Sequence, residues 1–495
     1  MTRLPAAALL LACAPGIAHA AAPLQPDLAT LQAVPRVELP EAAVQKALAE
    51  PAIKGRPYRF AVPVDLELAP RQGLWLERGG TASWRVRIQS RGARSLSLHL
   101  AQPDLPAGAT LWTYDPHGQL VHGPYDAGRL GASGLWTPPV SGDELVVEVR
   151  APAGRGGTLK LGTARAFHGF RGWHREATAD NCNVDITCPQ SLPWTVDAGS
   201  VARVHIGGTI LCTGQLLNNV RQDQRRLFLT ADHCGVDHEQ GGPADSVLFY
   251  FDYTGACGNN VGDPLPPPTF QGSAVLARDI QTDFVLLQIT DPAPLPEGAY
   301  FAGWDATGGE STAVGVSIHH PSGDEKKIAF HDMAPTRSPV NIGTECIIPA
   351  WQVIWSEGTT EPGSSGAGLW NNSHRVIGIL SGGFASCRTP IQPDYFARLD
   401  GAWTAQSAAT GQLKAHLDPD NTCVATVPGL DPDTDPPPAP VTPTAQNVVC
   451  AGGRSTCTGR RRDSGALDAL ALALLALAAR RRLQHHQQHP RDRDR

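Results

Sequence analysis

The segment Glu361-Pro362-Gly363-Ser364-Ser365-Gly366-Ala367-Gly368 places two serine hydroxyls in a glycine-rich turn and runs directly into apolar Leu369-Trp370. Glycine tolerates backbone conformations that a Cβ forbids, so Gly363 and Gly366 can hold Ser365 on a sharp bend, its hydroxyl exposed and its amide turned inward. A Gly-Ser-Ser-Gly run also suits a flexible connector. Here it is bounded by Leu369-Trp370 and by the core-like run Val376-Ile377-Gly378-Ile379-Leu380. A serine hydroxyl becomes a useful nucleophile only beside a base. His233 is the candidate, delivered by the apolar strand Leu227-Phe228-Leu229 to the small-residue turn Ala231-Asp232-His233-Cys234-Gly235. A carboxylate must orient that imidazole and stabilise its charged form. Asp283 fits, because it opens the otherwise apolar strand Phe284-Val285-Leu286-Leu287-Gln288-Ile289, although an Asp at that place also suits a turn cap.

The order His, Asp, Ser is that of chymotrypsin-like enzymes and differs from the orders of subtilisins and α/β-hydrolases. Thr-Ala-x-His-Cys at Thr230, Thr-Asp-Phe-x-Leu-Leu at Thr282 and Glu-Pro-Gly-Ser-Ser-Gly at Glu361 come in one order with three further motifs. These are the run Cys182 to Pro189, Ala302-Gly303-Trp304-Asp305 and Ile318-His319-His320-Pro321. Over roughly residues 180 to 420 the set resembles the bacterial secreted lysyl endopeptidases, which are trypsin-like serine proteases. The resemblance implies an all-β fold with a double antiparallel β-barrel, the triad His233, Asp283 and Ser365, and an oxyanion hole from the amides of Gly363 and Ser365. It implies no cofactor and no metal.

The same likeness reaches a specificity pocket. Cys387-Arg388-Thr389-Pro390-Ile391-Gln392-Pro393-Asp394-Tyr395-Phe396-Ala397-Arg398 matches, in its Cys, Asp and Arg, the segment that supplies the lysine-binding carboxylate in that family. Asp394 is therefore expected at the pocket base, although Asp after Pro393 also suits a surface turn. Ser381-Gly382-Gly383 should give Ser381 and Gly383 to a strand whose backbone pairs with substrate. Where the family has a histidine on that strand this chain has Ser381, and no tryptophan clearly matches that histidine's partner. The family matures by cutting after a lysine just before the catalytic domain, whereas the basic residues here are Arg171 and Arg175.

These residues need a scaffold, and 495 residues supply enough chain for two or three cores. Residues 1–20 read as a signal peptide: Arg3, an apolar run from Ala6 to Ala12, and the small-residue end Ala18-His19-Ala20. Cys13 offers a second reading, a lipoprotein site. Either route leads out of the cytoplasm, to secretion or the bacterial cell surface. Residues 21–176 show strand alternation at Trp84/Val86/Ile88, Leu96/Leu98/Leu100 and Leu145/Val147/Val149, which predicts a β-sandwich. In the resembling enzymes this region is a removed propeptide, and the rival reading is a carbohydrate- or surface-binding module.

The catalytic region spans 177–423. Six of its eight cysteines, taken as three bridges, allow 15 pairings. The resemblance selects Cys182 with Cys387, Cys188 with Cys257, and Cys212 with Cys234. Cys346 and Cys423 fall outside that framework and are suggested to pair with each other. Residues 424–449 are rich in Pro, Asp and Thr and read as an extended linker. Residues 450–495 carry Cys450, Cys457, an apolar run from Ala469 to Ala479 and flanking arginines, resembling a sorting or anchor signal; the alternative is a basic amphipathic tail. Membrane association through either end would be transient.

Net charge is −6, but 10 Arg against 4 Asp from Gly452 onward leave 31 basic and 43 acidic groups in the rest. That balance argues against a nucleic-acid partner. Two functions fit the chain. One is a secreted serine endopeptidase, made as a proenzyme with its own propeptide as partner, cutting protein or peptide substrates after basic residues, Lys foremost. The other is a surface-displayed binding protein with an inactive protease-like domain.

Overall fold

Period-two alternation builds the N-terminal sheets. The strands Thr81–Gln89 and Glu144–Pro152 pair antiparallel, with Trp84 opposite Val149, Val86 opposite Val147 and Ile88 opposite Leu145. Their apolar faces share one core with Leu96, Leu98 and Leu100 from the facing sheet, which also holds Ala61–Glu67 and Thr163–Gly169. This is a β-sandwich. The opposite face of the first sheet carries charge that is buried yet matched: Arg87 makes a forked contact with Glu144 at 2.6 and 2.9 Å, and the Tyr114 hydroxyl donates to Glu148 at 2.7 Å.

The chain is described by a computed structural model over residues 24, 26–41, 44–171, 179–258, 268–309, 313–341, 347–434, 436–444 and 447–448. The sequence-read leader over 1–20, the Arg175 junction, Cys346 and the tail from Cys450 onward lie outside the described residues. Among the described residues, no helix is long and apolar enough to cross a membrane.

Two further sheets form the catalytic region, antiparallel but for one parallel pairing of Gly303–Asp305 with Arg375–Gly383. The first contains Val201–Ile206, Ile210–Leu217, Leu227–Thr230, Ser273–Asp279 and Phe284–Ile289. Alternation explains why the last of these reads as a continuous apolar run. Val285, Leu287 and Ile289 face the interior of the first sheet, while Phe284 and Leu286 face the interior shared with the second. A strand buried on both faces has no polar side to show. The second sheet contains Gly315–His319, Lys327–His331, Ala350–Val353, Gly368–Asn371, Arg375–Gly383 and Asp394–Arg398. Trp351, Trp355, Leu369, Leu380 and Phe396 fill its own core. The whole architecture is all-β, two curled antiparallel sheets behind a sandwich.

The catalytic body continues past Cys423, which corrects the linker boundary at 424. Val424, Ala425 and Val427 are buried, Thr426–Val427 pairs with Gly303–Asp305, and Val441 N–H donates to the Val220 carbonyl at 2.8 Å. The cause is local: Val424, Ala425 and Val427 enter the core ahead of the Pro-rich run, and Val441 returns to the catalytic body after it. The N-terminal domain also reaches across, since Tyr58–Arg59 adds a strand to Ile210–Leu217.

Candidate active site

Sheet pairing brings the candidate base and the candidate orienting acid together. His233 stands on the single turn Asp232–Cys234 after the strand Leu227–Thr230, and Asp283 immediately precedes Phe284–Ile289; the two strands are neighbours, with Thr230 opposite Val285. Asp283 has φ 49°, a left-handed conformation that Asp enters more readily than bulkier residues. That bend turns its carboxylate back onto the histidine. Nδ1 lies 3.0 and 2.9 Å from the two carboxylate oxygens, and the His233 backbone N–H donates to Oδ1 at 3.0 Å. With Nδ1 carrying the proton, Nε2 keeps a free lone pair. Among the described residues, buried Nε2 has no hydrogen-bond partner, the Ser365 hydroxyl included. Burial of the ring works against its charged form, but the charge and hydrogen bond of Asp283, helped by Asp232, outweigh it and place the His233 pKa above 6.5.

Ser365 comes from the second sheet, on the bend that leads into Gly368–Asn371. Gly363 has φ 98° and Gly366 φ 84°. A Cβ on Gly366 would stand 2.2 Å from Thr230 Oγ1 and 2.4 Å from the Thr213 carbonyl, so the bend closes onto the first sheet only without one. Thr213 pins it there: its N–H donates to the Ser365 carbonyl and its hydroxyl to the Gly363 carbonyl, both at 2.9 Å. Ser364 is occupied elsewhere, with His319 Nδ1 2.8 Å from its hydroxyl and the Glu361 N–H donating to that oxygen at 3.1 Å. Ser365 therefore remains the candidate nucleophile of the pair.

Disulfides join Cys182 to Cys387, Cys188 to Cys257 and Cys212 to Cys234. The last ties the strand Ile210–Leu217 to the His233 turn, and the first ties the start of the catalytic region to the loop before Asp394. Cys423 is also disulfide-bonded. Asp180, Glu361 and Cys387 converge within 4.8 Å. This trio makes a poor metal site, because Cys387 is in a disulfide and Glu361 already accepts from Asp180 N–H, Asn183 and Ser322.

Asp394 is fully buried at the start of its strand. One oxygen accepts from the Trp355 indole N–H at 2.8 Å and the Thr360 hydroxyl at 2.7 Å; the other accepts from Ala385 N–H at 3.2 Å. Gly383 lies against it, and a Cβ there would be 2.0 Å from Oδ1. Ser381 is buried on the strand of Gly383, and its hydroxyl is unpartnered among the described residues. The remaining position on the carboxylate is filled from the N-terminal domain. Lys54 Nζ donates to Oδ1 at 2.8 Å, to Oδ2 at 3.0 Å and to the Ala385 carbonyl at 2.6 Å. Both charges are buried, with side-chain exposures of 7% and 0%.

Sequence reasoning did not reach Trp355, Thr360 or Lys54. Thr360 stands five residues before Ser365 and carries no motif of its own. Lys54 left one available signal, being one of only 6 lysines and set in the Gly/Pro segment Lys54-Gly55-Arg56-Pro57.

Two sequence models of one family match this chain: lysyl endopeptidase, C-terminal domain, over residues 177–397, and lysyl endopeptidase N-terminal domain over 34–160. A lysyl endopeptidase from Pseudomonas aeruginosa is 29% identical over 471 residues, covering 80% of this chain and 96% of that protein. The chain belongs to the lysyl endopeptidase family. Within the family's C-terminal match stand His233, Asp283, Ser365 and Asp394, and within its N-terminal match stands Lys54. Solved structures give weaker likeness. The active form of the Rv3671c protease from M. tuberculosis is 17% identical and covers 46% of this chain and 88% of its own, with a TM-score of 0.30. The thermostable serine protease AL20 from an extremophilic microorganism is 13% identical over 41% of this chain and 92% of its own, with a TM-score of 0.29. At those scores the fold rests on this chain's own sheets.

Proposed function

We propose that this serine endopeptidase cuts peptide bonds after lysine, with Ser365 as nucleophile, His233 as general base and acid, Asp283 as the group that orients His233, and Asp394 as the lysine-binding carboxylate. The observation that carries the reading is the buried amine of Lys54 on Asp394. An ammonium has three N–H donors, and in this pocket it meets three oxygens: both of Asp394 and the Ala385 carbonyl. A guanidinium is longer and planar and presents its donors as a fork, so the same three acceptors suit it less well. An apolar side chain would leave Asp394 buried without its counter-charge.

In the proposed reaction Ser365 Oγ bonds to the substrate carbonyl carbon while its proton passes to His233 Nε2. The oxyanion is held by the amides of Gly363 and Ser365. Collapse breaks the C–N bond, His233 returns the proton to the leaving amine, and water hydrolyses the ester by the same route. The Asp283 contact to Nδ1 supports this division of labour, because it leaves Nε2 as the nitrogen free to take a proton. The disulfides support action outside the cytoplasm.

Digestion of a mixed peptide library by the purified protein tests the specificity. New C-termini should be Lys, with Arg a minor class. Termini spread over apolar residues would contradict the assignment of Asp394. Acid should remove activity by protonating Nε2. Because Asp283 lifts the His233 pKa above its ordinary 6.5, the labelling rate with a fluorophosphonate should fall to half its plateau above pH 6.5 as pH decreases. A midpoint at or below 6.5 would show that the Asp283 contact is not felt at the base.

A further inference from the structure

Lys54 is 340 residues from Asp394 in sequence, yet its amine fills the pocket. It gets there on a docked element. Tyr58–Arg59 pairs antiparallel with Ile210–Leu211, Phe60 N–H donates to the Thr209 carbonyl at 2.9 Å, and Tyr58, Phe60, Trp136, Phe167 and Leu211 close an apolar cluster across the two domains. Ser133 adds two hydrogen bonds to Asp245, at 2.6 and 2.7 Å. Three residues separate Lys54 from that strand, so the amine is held at an effective concentration on the order of millimolar or higher. Gly55, Arg56 and Pro57 then line the cavity beside His233 and Asp283. The path covers the pocket and the base together.

The shape of the segment matters as much as its position. Arg56 N–H donates to the Ile53 carbonyl at 3.3 Å and Gly55 has φ 80°, so Lys54 and Gly55 are the two central residues of a tight turn with a glycine at the left-handed corner. Peptides that add to a strand edge do so extended, with successive backbone groups free to pair. A turn folded back on its own hydrogen bond gives up that pairing on either side of Lys54.

We propose that Lys54 is an internal plug: the N-terminal domain closes the lysine pocket of its own catalytic domain with a lysine presented at the tip of a turn, as a bound ligand. This rests on the reading of Asp394 as the lysine site. The plug works by charge and by tether. External lysine side chains must compete with an amine already seated on three oxygens, and access opens when the Tyr58–Arg59 strand leaves Ile210–Leu217.

The test uses the full chain with Ser365→Ala, which prevents self-cutting, and dansylcadaverine, a fluorescent primary alkylammonium that reports entry of a lysine-like amine into a carboxylate-based pocket. Lys54→Gln in that background should bind the probe at least tenfold more tightly than the Lys54 chain. Equal binding by the two would overturn the plug and leave the pocket reading standing. Binding by neither would defeat the pocket reading and the plug with it. A second measurement needs no change at Lys54: with an amine-acetylating reagent, Lys54 should react at least tenfold more slowly than Lys160, whose side chain is 75% exposed. Comparable rates at the two lysines would overturn the plug whatever the variant does.

Discussion

Ser365→Ala is expected to lower peptide hydrolysis by about a millionfold, with His233→Ala close behind and the double variant no worse than either alone. The size follows from the proposed mechanism, in which the two residues act as one device. Without Oγ there is no atom to form the ester, and without Nε2 the hydroxyl keeps its proton. Each loss therefore removes the same step. The geometry around Ser365 makes this substitution clean: Thr213 holds the bend through the carbonyls of residues 363 and 365, and Ser364 bonds to His319 and Glu361, so nothing that shapes the loop depends on the Ser365 hydroxyl. Thermal unfolding of Ser365→Ala should match the parent. Peptide hydrolysis that survives within tenfold of the parent would mean that another residue is the nucleophile.

Asp394→Asn should be the second largest effect. Breaking one side of a buried, hydrogen-bonded charge pair costs about 3–5 kcal/mol, which is roughly a hundredfold to several thousandfold in kcat/KM on lysyl peptides. Part of that cost is local, since the Asn amide nitrogen would face either Trp355 and Thr360 or the Ala385 N–H, all of which donate to the carboxylate. The loss should fall on charged substrates and spare reaction with a small uncharged fluorophosphonate, because the role proposed for Asp394 is to bind the lysine amine and not to act on the serine. Steady-state kinetics on paired lysyl and norleucyl peptides separates the two. An equal loss on both peptides would make Asp394 a structural residue of the strand Asp394–Arg398 and not a specificity group.

Much of this arrangement was legible because period-two burial leaves a direct trace. Trp84/Val86/Ile88 and Leu96/Leu98/Leu100 alternate in the chain and meet in one sandwich core. Phe284 to Ile289 reads as unbroken apolar sequence because both of its faces are covered. Glycine at 363 and 366 marks a bend with two positive φ angles, and at 366 no larger residue fits so close to Thr213 and Thr230. The chemistry-bearing motifs are short and local, and local signals survive in sequence. Contacts between distant segments leave no such trace. Trp355 and Thr360 reach Asp394 through the curl of the second sheet, and Lys54 reaches it only because two domains dock. The positive φ of Asp283 is equally silent, since Asp also caps turns with ordinary geometry. The boundary at Cys423 was misplaced because proline content dominates composition from 436 on, while Val424, Ala425 and Val427 enter the core ahead of it.

The central claim joins a nucleophile, Ser365, to a lysine pocket, Asp394, in one site. A lysine-derived aryl phosphonate tests both at once, because it is positioned by its amine and traps the attacking oxygen covalently. After labelling of the Lys54→Gln chain, peptide mapping by mass spectrometry should place the phosphonyl group on Ser365, and Asp394→Asn should slow that labelling at least a hundredfold while a neutral phosphonate still labels Ser365 at the parent rate. A phosphonyl group on any other residue, or labelling by the lysine reagent that ignores the loss of Asp394, would contradict it.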